Sequence, residues 1–188
     1  MKWIKSLFIC ALLIVPSINV SWADNESYEK GMSLYNRGDW IGAISYFEKA
    51  AEEGVAEAQR RLGYILWKGG SDLTQAERWL RSAATANDSE GIIFYKSFLF
   101  EYSATELGRS EPVRNWLHQR ADQEASSKFI LAQTYEADDA STAVALYEEL
   151  LTDRYVDAVR RLIRVYRYGE LGQAVDLDRV EQLQGLLK

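Results

Sequence analysis

His118 is the only histidine in the 188-residue sequence, and it is the first side chain to consider for catalysis. Asp122 follows it by four positions, so the two side chains would share one face of a helix. A hydrolytic triad also needs a nucleophile beside the histidine, and a metal site needs further nitrogen or sulfur ligands. The one cysteine, Cys10, lies in an apolar run near the N-terminus. We therefore interpret His118 as a surface residue beside Trp116, and predict no catalytic and no metal-binding residues.

Three acidic doublets, at residues 52–53, 138–139 and 148–149, are the other candidates for acid–base chemistry. Adjacent residues on a helix point in different directions, so a doublet does not converge on one substrate bond. The KGGS stretch at 68–71 lacks the spacing of a phosphate loop and does not follow a strand. The sequence therefore predicts no enzyme and no cofactor. The rival hypothesis is a small enzyme or a small-molecule carrier, and it requires a closed polar pocket.

Arginines on one predicted helix are candidates for binding rather than catalysis. On a helix through residues 156–168, Arg160, Arg164 and Arg167 lie within about 60° of one another. Such a basic stripe could bind a partner's carboxylates through paired hydrogen bonds. The alternative is that these arginines are solvated or pair within the chain. The candidate carboxylates for that pairing belong to Glu148, Glu149 and Asp153.

A second set of candidates lies on the helix predicted over residues 56–70. Arg60, Tyr64 and Trp67 lie away from the apolar face of that helix. Arginine and large aromatic side chains usually dominate protein interfaces. The predicted partner-binding surface consists of Arg60, Tyr64, Trp67, Arg160, Arg164 and Arg167.

Aromatic side chains are dense between residues 94 and 102. They could form a ligand platform, but aromatics at helical spacing more often pack in a core, which is the interpretation we favour. The residues concerned are Phe94, Tyr95, Phe98, Phe100 and Tyr102.

The helices that position these residues recur along the chain. Residues 56–70 read AEAQRRLGYILWKGG, and residues 156–170 read VDAVRRLIRVYRYGE. Apolar residues recur at spacings of three and four, and prolines occur only at positions 16 and 112. Between the first two units corresponding positions lie 32 or 33 residues apart, as expected of one helix–turn–helix unit per repeat. The sequence therefore predicts an all-α chain of about five such units.

The first unit, from about residue 28, shows how one repeat is built. Gly38 and Asp39 form the turn between its two helices, and Gly54 ends the second helix. We expect Trp40 and Phe47 to point inward from that second helix. In the third unit, the proline at position 112 indicates the first turn of a helix.

The repeated stretches resemble known helical-repeat families. GMSLYNRGDWIGAISYFEKA resembles a tetratricopeptide unit, whereas AEAQRRLGYILWKGG, LAQTY and AVRRLIRVYRYGELG resemble Sel1-like repeats, in which an A…LG..Y phrase precedes a glycine turn. The resemblance implies a right-handed α-solenoid whose concave surface, lined mostly by first helices, binds a peptide, loop or domain of a protein. For exported bacterial members it suggests envelope assembly, flagellar motors, host interaction or immunity against toxins. An envelope adaptor and a toxin-binding immunity protein are therefore both open, and the neighbouring genes would separate them.

The N-terminus has the layout of a secretory signal. Lys2 and Lys5 precede an unbroken apolar run over 7–15, and small residues flank Trp22 at the end of the segment. We expect a signal peptide at residues 1–23, cleaved after Ala23, and a single repeat domain at 24–188. A retained membrane anchor is the rival, although the apolar run is short for a span. Since the only cysteine lies within the signal, the domain would hold no disulfide, which favours the bacterial periplasm.

The charge of the chain limits the class of partner. Its 22 basic and 28 acidic side chains give a net charge of −6, and loss of Lys2 and Lys5 would make the remainder more acidic. An acidic domain is a poor ligand for nucleic acid or for an anionic membrane surface. We therefore expect a protein partner and no membrane span after signal cleavage.

Overall fold

The computed structural model describes residues 25–188, so the predicted signal peptide lies outside the described residues. Within that range the chain folds into ten α-helices and contains no strand. None of these helices has both the length and the apolar character needed to cross a bilayer. In chain order the helices are α1 (Glu26–Asn36), α2 (Trp40–Glu52), α3 (Ala56–Gly69), α4 (Leu73–Thr85), α5 (Ser89–Tyr102), α6 (Glu111–Ala121), α7 (Ala125–Tyr135), α8 (Ala140–Glu149), α9 (Val156–Tyr168) and α10 (Leu177–Gly185).

The ten helices form five consecutive pairs, and they stack as an α-solenoid of helical repeats. We refer to the odd-numbered helices as first helices and to the even-numbered ones as second helices. Each second helix follows its first helix after a short connection, and the two longest connections, of equal length, precede α6 and α10. First helices also pack on the next first helix, as α3 does on α5 and α5 on α7. The all-α repeat architecture predicted from the sequence is confirmed.

An aspartate N-cap residue precedes four of the five second helices and accepts a hydrogen bond from the first turn. In each case the side chain accepts a hydrogen bond from the backbone N–H three residues later. The capping residues are Asp39, Asp72, Asp139 and Asp176. Hydrogen bonds from Thr142 and Ser141 lower the pKa of Asp139 to about 2. The remaining second helix, α6, has a proline in its first turn, as predicted.

Glycines end several helices where the backbone turns left-handed. Gly54 has a φ of +90°, and Gly70, which caps α3, has a φ of +62°. Side chains with a Cβ rarely adopt this conformation, so glycine fixes where the helix stops. The turn predicted at Gly38 and the helix end predicted at Gly54 are confirmed.

Small and large residues set the separation within each pair. A Cβ added to Gly63 in α3 would lie 2.7 Å from Cγ and 3.0 Å from the backbone nitrogen of Leu80 in α4, so the backbones of these two helices lie close together here. In the third pair the rings of Tyr95 and Trp116 meet at 4.7 Å between centroids. The backbones of α5 and α6 do not approach as closely as those of α3 and α4, because bulky rings fill the space between them.

The buried side chains form three groups along the solenoid, and half-buried residues connect them. Leu66 packs against both the N-terminal and the central groups of buried residues, and Tyr135 packs against both the central and the C-terminal groups. Phe47 is fully buried, as expected, but the expectation for Trp40 is wrong, since it is 43% exposed. Trp40 is the first residue of α2, and its ring stacks on Tyr35 at 5.7 Å instead of entering the core.

Most of the aromatic side chains of α5 belong to this core. Tyr95 and Phe98 are fully buried, whereas Phe100 is half-exposed. The hydroxyl of Tyr95 donates a hydrogen bond of 2.6 Å to the buried carboxylate of Glu77. Burial, together with that carboxylate, raises the pKa of the Tyr95 hydroxyl above its usual range. The aromatic run therefore supplies core packing, as favoured from the sequence.

Candidate partner-binding surface

Arg60 on α3 is enclosed by acidic side chains. Its side chain is only 5% exposed, and it pairs with Glu57 at 3.2 Å and with Asp88 at 2.8 Å. It also forms an ion pair with Glu90 and lies 5.7 Å from the ring centroid of Phe94. Because Asp88 and Glu90 belong to the start of α5, the arginine of one repeat binds the first helix of the next.

Tyr64 and Trp67 face the same way as Arg60. The ring of Tyr64 stacks on Phe94 at 5.3 Å, and Trp67 meets Phe98 edge-on at 5.7 Å. Trp67 is 7% exposed, so α5 covers this side of α3.

The expectation that Arg60 and Trp67 point outward is therefore wrong. A helical projection identifies the apolar face of α3, which packs on α4, but it treats all other positions as one outward surface. In a solenoid the first helix has a second contact face, toward the next first helix, and the three residues lie there. In this structure α5 already covers the three residues. Their role in binding another protein stays a prediction.

Arg160, Arg164 and Arg167 on α9 are exposed, as the sequence suggested. The Arg160 side chain is 69% exposed and lies 3.6 Å from Asp157. Arg164 is 65% exposed and pairs with Glu170 at 3.0 Å.

The intramolecular partners considered from the sequence are not the ones used. Glu148 instead binds Arg179 at 2.5 Å, and Glu149 binds Lys128 at 2.8 Å. The predicted surface thus separates into two parts: the α3 residues lie inside the repeat stack, and the α9 residues remain accessible.

Arg161, which follows Arg160, is a residue whose role the sequence did not reveal. It donates hydrogen bonds of 2.7 and 2.8 Å to the two carboxylate oxygens of Glu136, and it also pairs with Glu170. The signal that could have revealed this contact is an acidic residue at the end of the preceding first helix. Arg161 joins repeats four and five and presents Glu170 beside Arg164.

His118 and the acidic doublets have local partners. His118 is exposed, and its Nε2 shares a 3.0 Å hydrogen bond with the Tyr135 hydroxyl. Of the doublets, Asp138 binds Arg114 at 2.8 Å and Asp139 caps α8. No group of three or more histidine, cysteine or acidic side chains within residues 25–188 is arranged to hold a metal ion.

Two open clefts lie on either side of α4. One, of about 470 Å³, lies beside α4 and is lined by Gly54, Gln59, Arg78, Arg81, Ser82, Thr85 and Ala86. The other, of similar volume, is lined by Arg81, Thr85, Glu111, Pro112, Asn115, Trp116 and Gln119. Arg81 borders both clefts, but its guanidinium is held 2.8 Å from Glu77.

Comparisons with known proteins bear on the repeats. The family described as Sel1 repeat matches residues 41–55 and 56–88, which cover α2, α3 and α4. A crystal structure of a Sel1 repeat protein from Oxalobacter formigenes is similar at 20% identity and a TM-score of 0.45, over 85% of this chain and 70% of that one. The search of curated proteins gave no match. Sel1 repeat proteins generally bind other proteins. The match shows Sel1-like repeats over α2 to α4 of this chain.

Proposed function

We propose that this chain is an exported, non-enzymatic helical-repeat protein that binds a protein partner in the bacterial periplasm, as an adaptor in cell-envelope assembly. The observation that carries the proposal is the surface of α9. Arg160, Arg164 and Arg167 stand exposed on a first helix of an acidic chain, whereas α5 covers the corresponding side of α3. Exposed arginines that can bind carboxylates in pairs are suited to an acidic protein surface.

Export is supported by residues 1–23. A positive start, an apolar run and small residues around Trp22 are typical of a cleaved secretory signal. N-terminal sequencing of the protein from a periplasmic fraction should give Asp24 as the first residue. Recovery of the uncleaved chain in the membrane fraction would instead indicate an anchored protein.

Partner binding is tested by affinity capture from periplasmic extract followed by mass spectrometry. The purified protein should retain one protein in a stoichiometric amount, and it should hydrolyse no ester, peptide or phosphate substrate. A variant in which Lys30, Arg37 and Arg78 are alanine loses three exposed charges elsewhere and serves as the matched control. If the wild-type protein captures no partner, or if it turns over one of these substrates, the proposed function is wrong.

A further inference from the structure

Helices α3 and α9 occupy the same place in their repeats. Both begin one residue after an extended N-cap residue, and corresponding positions differ by 100 in the sequence. Ala58 and Ala158 are fully buried, as are Leu62 and Leu162.

We call the side of a first helix that faces the preceding repeat its backward side, and the side that faces the next repeat its forward side. The backward sides of α3 and α9 make equivalent contacts. Arg61 lies 5.2 Å from the ring of Tyr35 in the preceding first helix, and Arg161 binds Glu136 at the end of the preceding first helix. Arg60, the residue before Arg61, faces α5, and the shared buried and backward positions place Arg160 on the same, forward side of α9. The helices therefore present equivalent forward surfaces.

The forward surface of α3 shows what such a surface binds. Arg60 holds Asp88, the N-cap residue of α5, at 2.8 Å, and pairs with Glu90 in the first turn. One turn further along α5, the ring of Phe94 lies over Tyr64 and near Arg60. Carboxylates at a helix N-terminus are themselves favourable, because the backbone N–H groups there carry partial positive charge.

A contact of the same chemistry recurs one repeat later, from a position further along the helix. Lys96 on α5 binds Glu124, the N-cap residue of α7, at 3.2 Å. Two successive first helices thus use a cation to bind the acidic N-cap residue of the next first helix. We call this contact the N-cap clasp.

On α9 the forward surface carries the cation of the clasp, but the only helix that follows α9 within residues 25–188 is its own second helix, α10, and no further first helix covers this surface. Arg160 corresponds to Arg60 and keeps the neighbouring acid, since Asp157 takes the place of Glu57. Arg164 and Arg167 replace the aromatic pair of α3. A surface with three exposed guanidinium groups disfavours an apolar helix, because the charges would be desolvated without partners.

We infer that the forward surface of α9, formed by Arg160, Arg164 and Arg167, binds the acidic N-terminus of an α-helix in the partner protein, as α3 binds α5. The partner helix carries an acidic N-cap residue and a second acidic residue in its first turn. An aromatic ring one turn later lies against the Arg164 guanidinium, which stacks well on aromatic faces. Arg164 already pairs with Glu170, so a partner carboxylate shares that arginine or displaces Glu170. This inference rests on the proposed function and names the chemistry of its partner.

The test uses a helix-constrained peptide that copies the clasp. A fluorescent peptide with the sequence of residues 86–98 contains Asp88, Glu90 and Phe94 in their natural order. Its anisotropy is titrated with the whole protein at low ionic strength, because exposed ion pairs are screened by salt. The matched peptide carries Asp88→Asn and Glu90→Gln and keeps the apolar residues.

The wild-type protein should bind the acidic peptide at least about tenfold more tightly than the amide peptide. Changing Arg160, Arg164 and Arg167 to alanine should weaken binding by about tenfold or more, whereas the Lys30, Arg37 and Arg78 control should stay within about twofold. An Arg160→Glu variant should bind a peptide with Glu90→Lys more tightly than the wild-type protein does. The expected result of this charge exchange is tighter binding. A misfolded variant would bind more weakly, so misfolding cannot produce this result.

In the peptide experiment, the inference is overturned by no binding of the acidic peptide to the wild-type protein, by equal binding of both peptides, or by unchanged binding to the triple α9 variant. Affinity capture separates these failures from that of the proposed function. If the triple α9 variant still captures the same partner as the wild-type protein, the α9 surface is not the binding site and the proposed function stands. If neither captures a partner, the proposed function itself fails.

Discussion

Arg161 binds Glu136 through two parallel hydrogen bonds, Nε to Oε1 at 2.7 Å and Nη2 to Oε2 at 2.8 Å. The arginine lies on the first helix of the fifth repeat, and the glutamate follows the first helix of the fourth. Both side chains are mostly buried, and the Tyr147 hydroxyl also donates to Glu136 at 2.6 Å. This network fixes the position of α9 relative to the rest of the stack.

Removing the arginine from this network should destabilise the fold. Arg161→Ala leaves the Glu136 carboxylate partly buried and without its cation, and we expect the free energy of unfolding to fall by about 2 kcal/mol. Arg160→Ala removes an exposed arginine from the same helix and should change it by less than about 0.5 kcal/mol. Urea denaturation followed by circular dichroism measures both. Equal effects of the two substitutions would show that the Glu136 pair adds nothing to stability.

The same glutamate should make stability depend on pH. Burial raises the pKa of Glu136, but the hydrogen bonds from Arg161 and Tyr147 outweigh it and hold the pKa below its ordinary value of 4.5. Above that value the carboxylate is ionised in both states, and its contacts stabilise the fold. As the pH falls below it, the unfolded chain takes up a proton first, so this contribution declines.

A Glu136→Gln variant lacks this contribution. The difference in urea midpoint between wild type and variant should therefore be larger at about pH 6 than at about pH 3. Glu181→Gln, at an exposed position on α10, is the matched control. A difference that stays constant between the two pH values would contradict the role given to Glu136.

Much of the fold could be predicted from the residues that start, stop and space the helices. Asp39 and Gly54 mark a helix start and a helix end by local chemistry alone, so no tertiary information is needed. The exposure of Arg160 also followed from the helical projection. Local patterns of this kind depend on residues within one or two turns.

The burial of Arg60 and Trp67 could not be predicted in this way. Their partners lie about thirty residues further along the chain, and a projection of one helix does not show that a second helix covers it. The clue is periodic rather than local, since an acidic N-cap residue such as Asp88 recurs as Glu124. Repeat proteins bury their first helices between neighbours, so the unit of prediction is two repeats rather than one.

The close approach of α3 and α4 gives a further prediction. A Cβ at Gly63 would lie 2.7 Å from Cγ of Leu80 and 3.0 Å from its backbone nitrogen, so Gly63→Ala must push the two helices apart. We expect a loss of about 2 kcal/mol in the free energy of unfolding. Gly185→Ala in α10, where a Cβ meets nothing, should be neutral or stabilising by up to about 0.5 kcal/mol. If Gly63→Ala were as stable as Gly185→Ala, the helices would be less tightly packed than described.

Restoring the aromatic pair on α9 should make the protein self-associate. Arg164→Tyr combined with Arg167→Trp recreates the forward surface of α3, where Tyr64 and Trp67 are covered by the rings of α5. On α9 no described helix covers these rings, and an exposed apolar end of a solenoid favours stacking on another molecule. Sedimentation velocity over a range of concentrations should show larger species for this variant than for the wild-type protein.

The control for that experiment is Arg164→Gln with Arg167→Gln, which removes the same charges without adding rings. It should sediment as the wild-type protein does, because loss of charge alone supplies no apolar area to bury. If the glutamine variant also associates, charge repulsion rather than the lack of an apolar surface keeps the wild-type ends apart. If the aromatic variant sediments like wild type, the forward surfaces of α3 and α9 are not equivalent. In that case Arg160 would have no reason to bind a helix as Arg60 does.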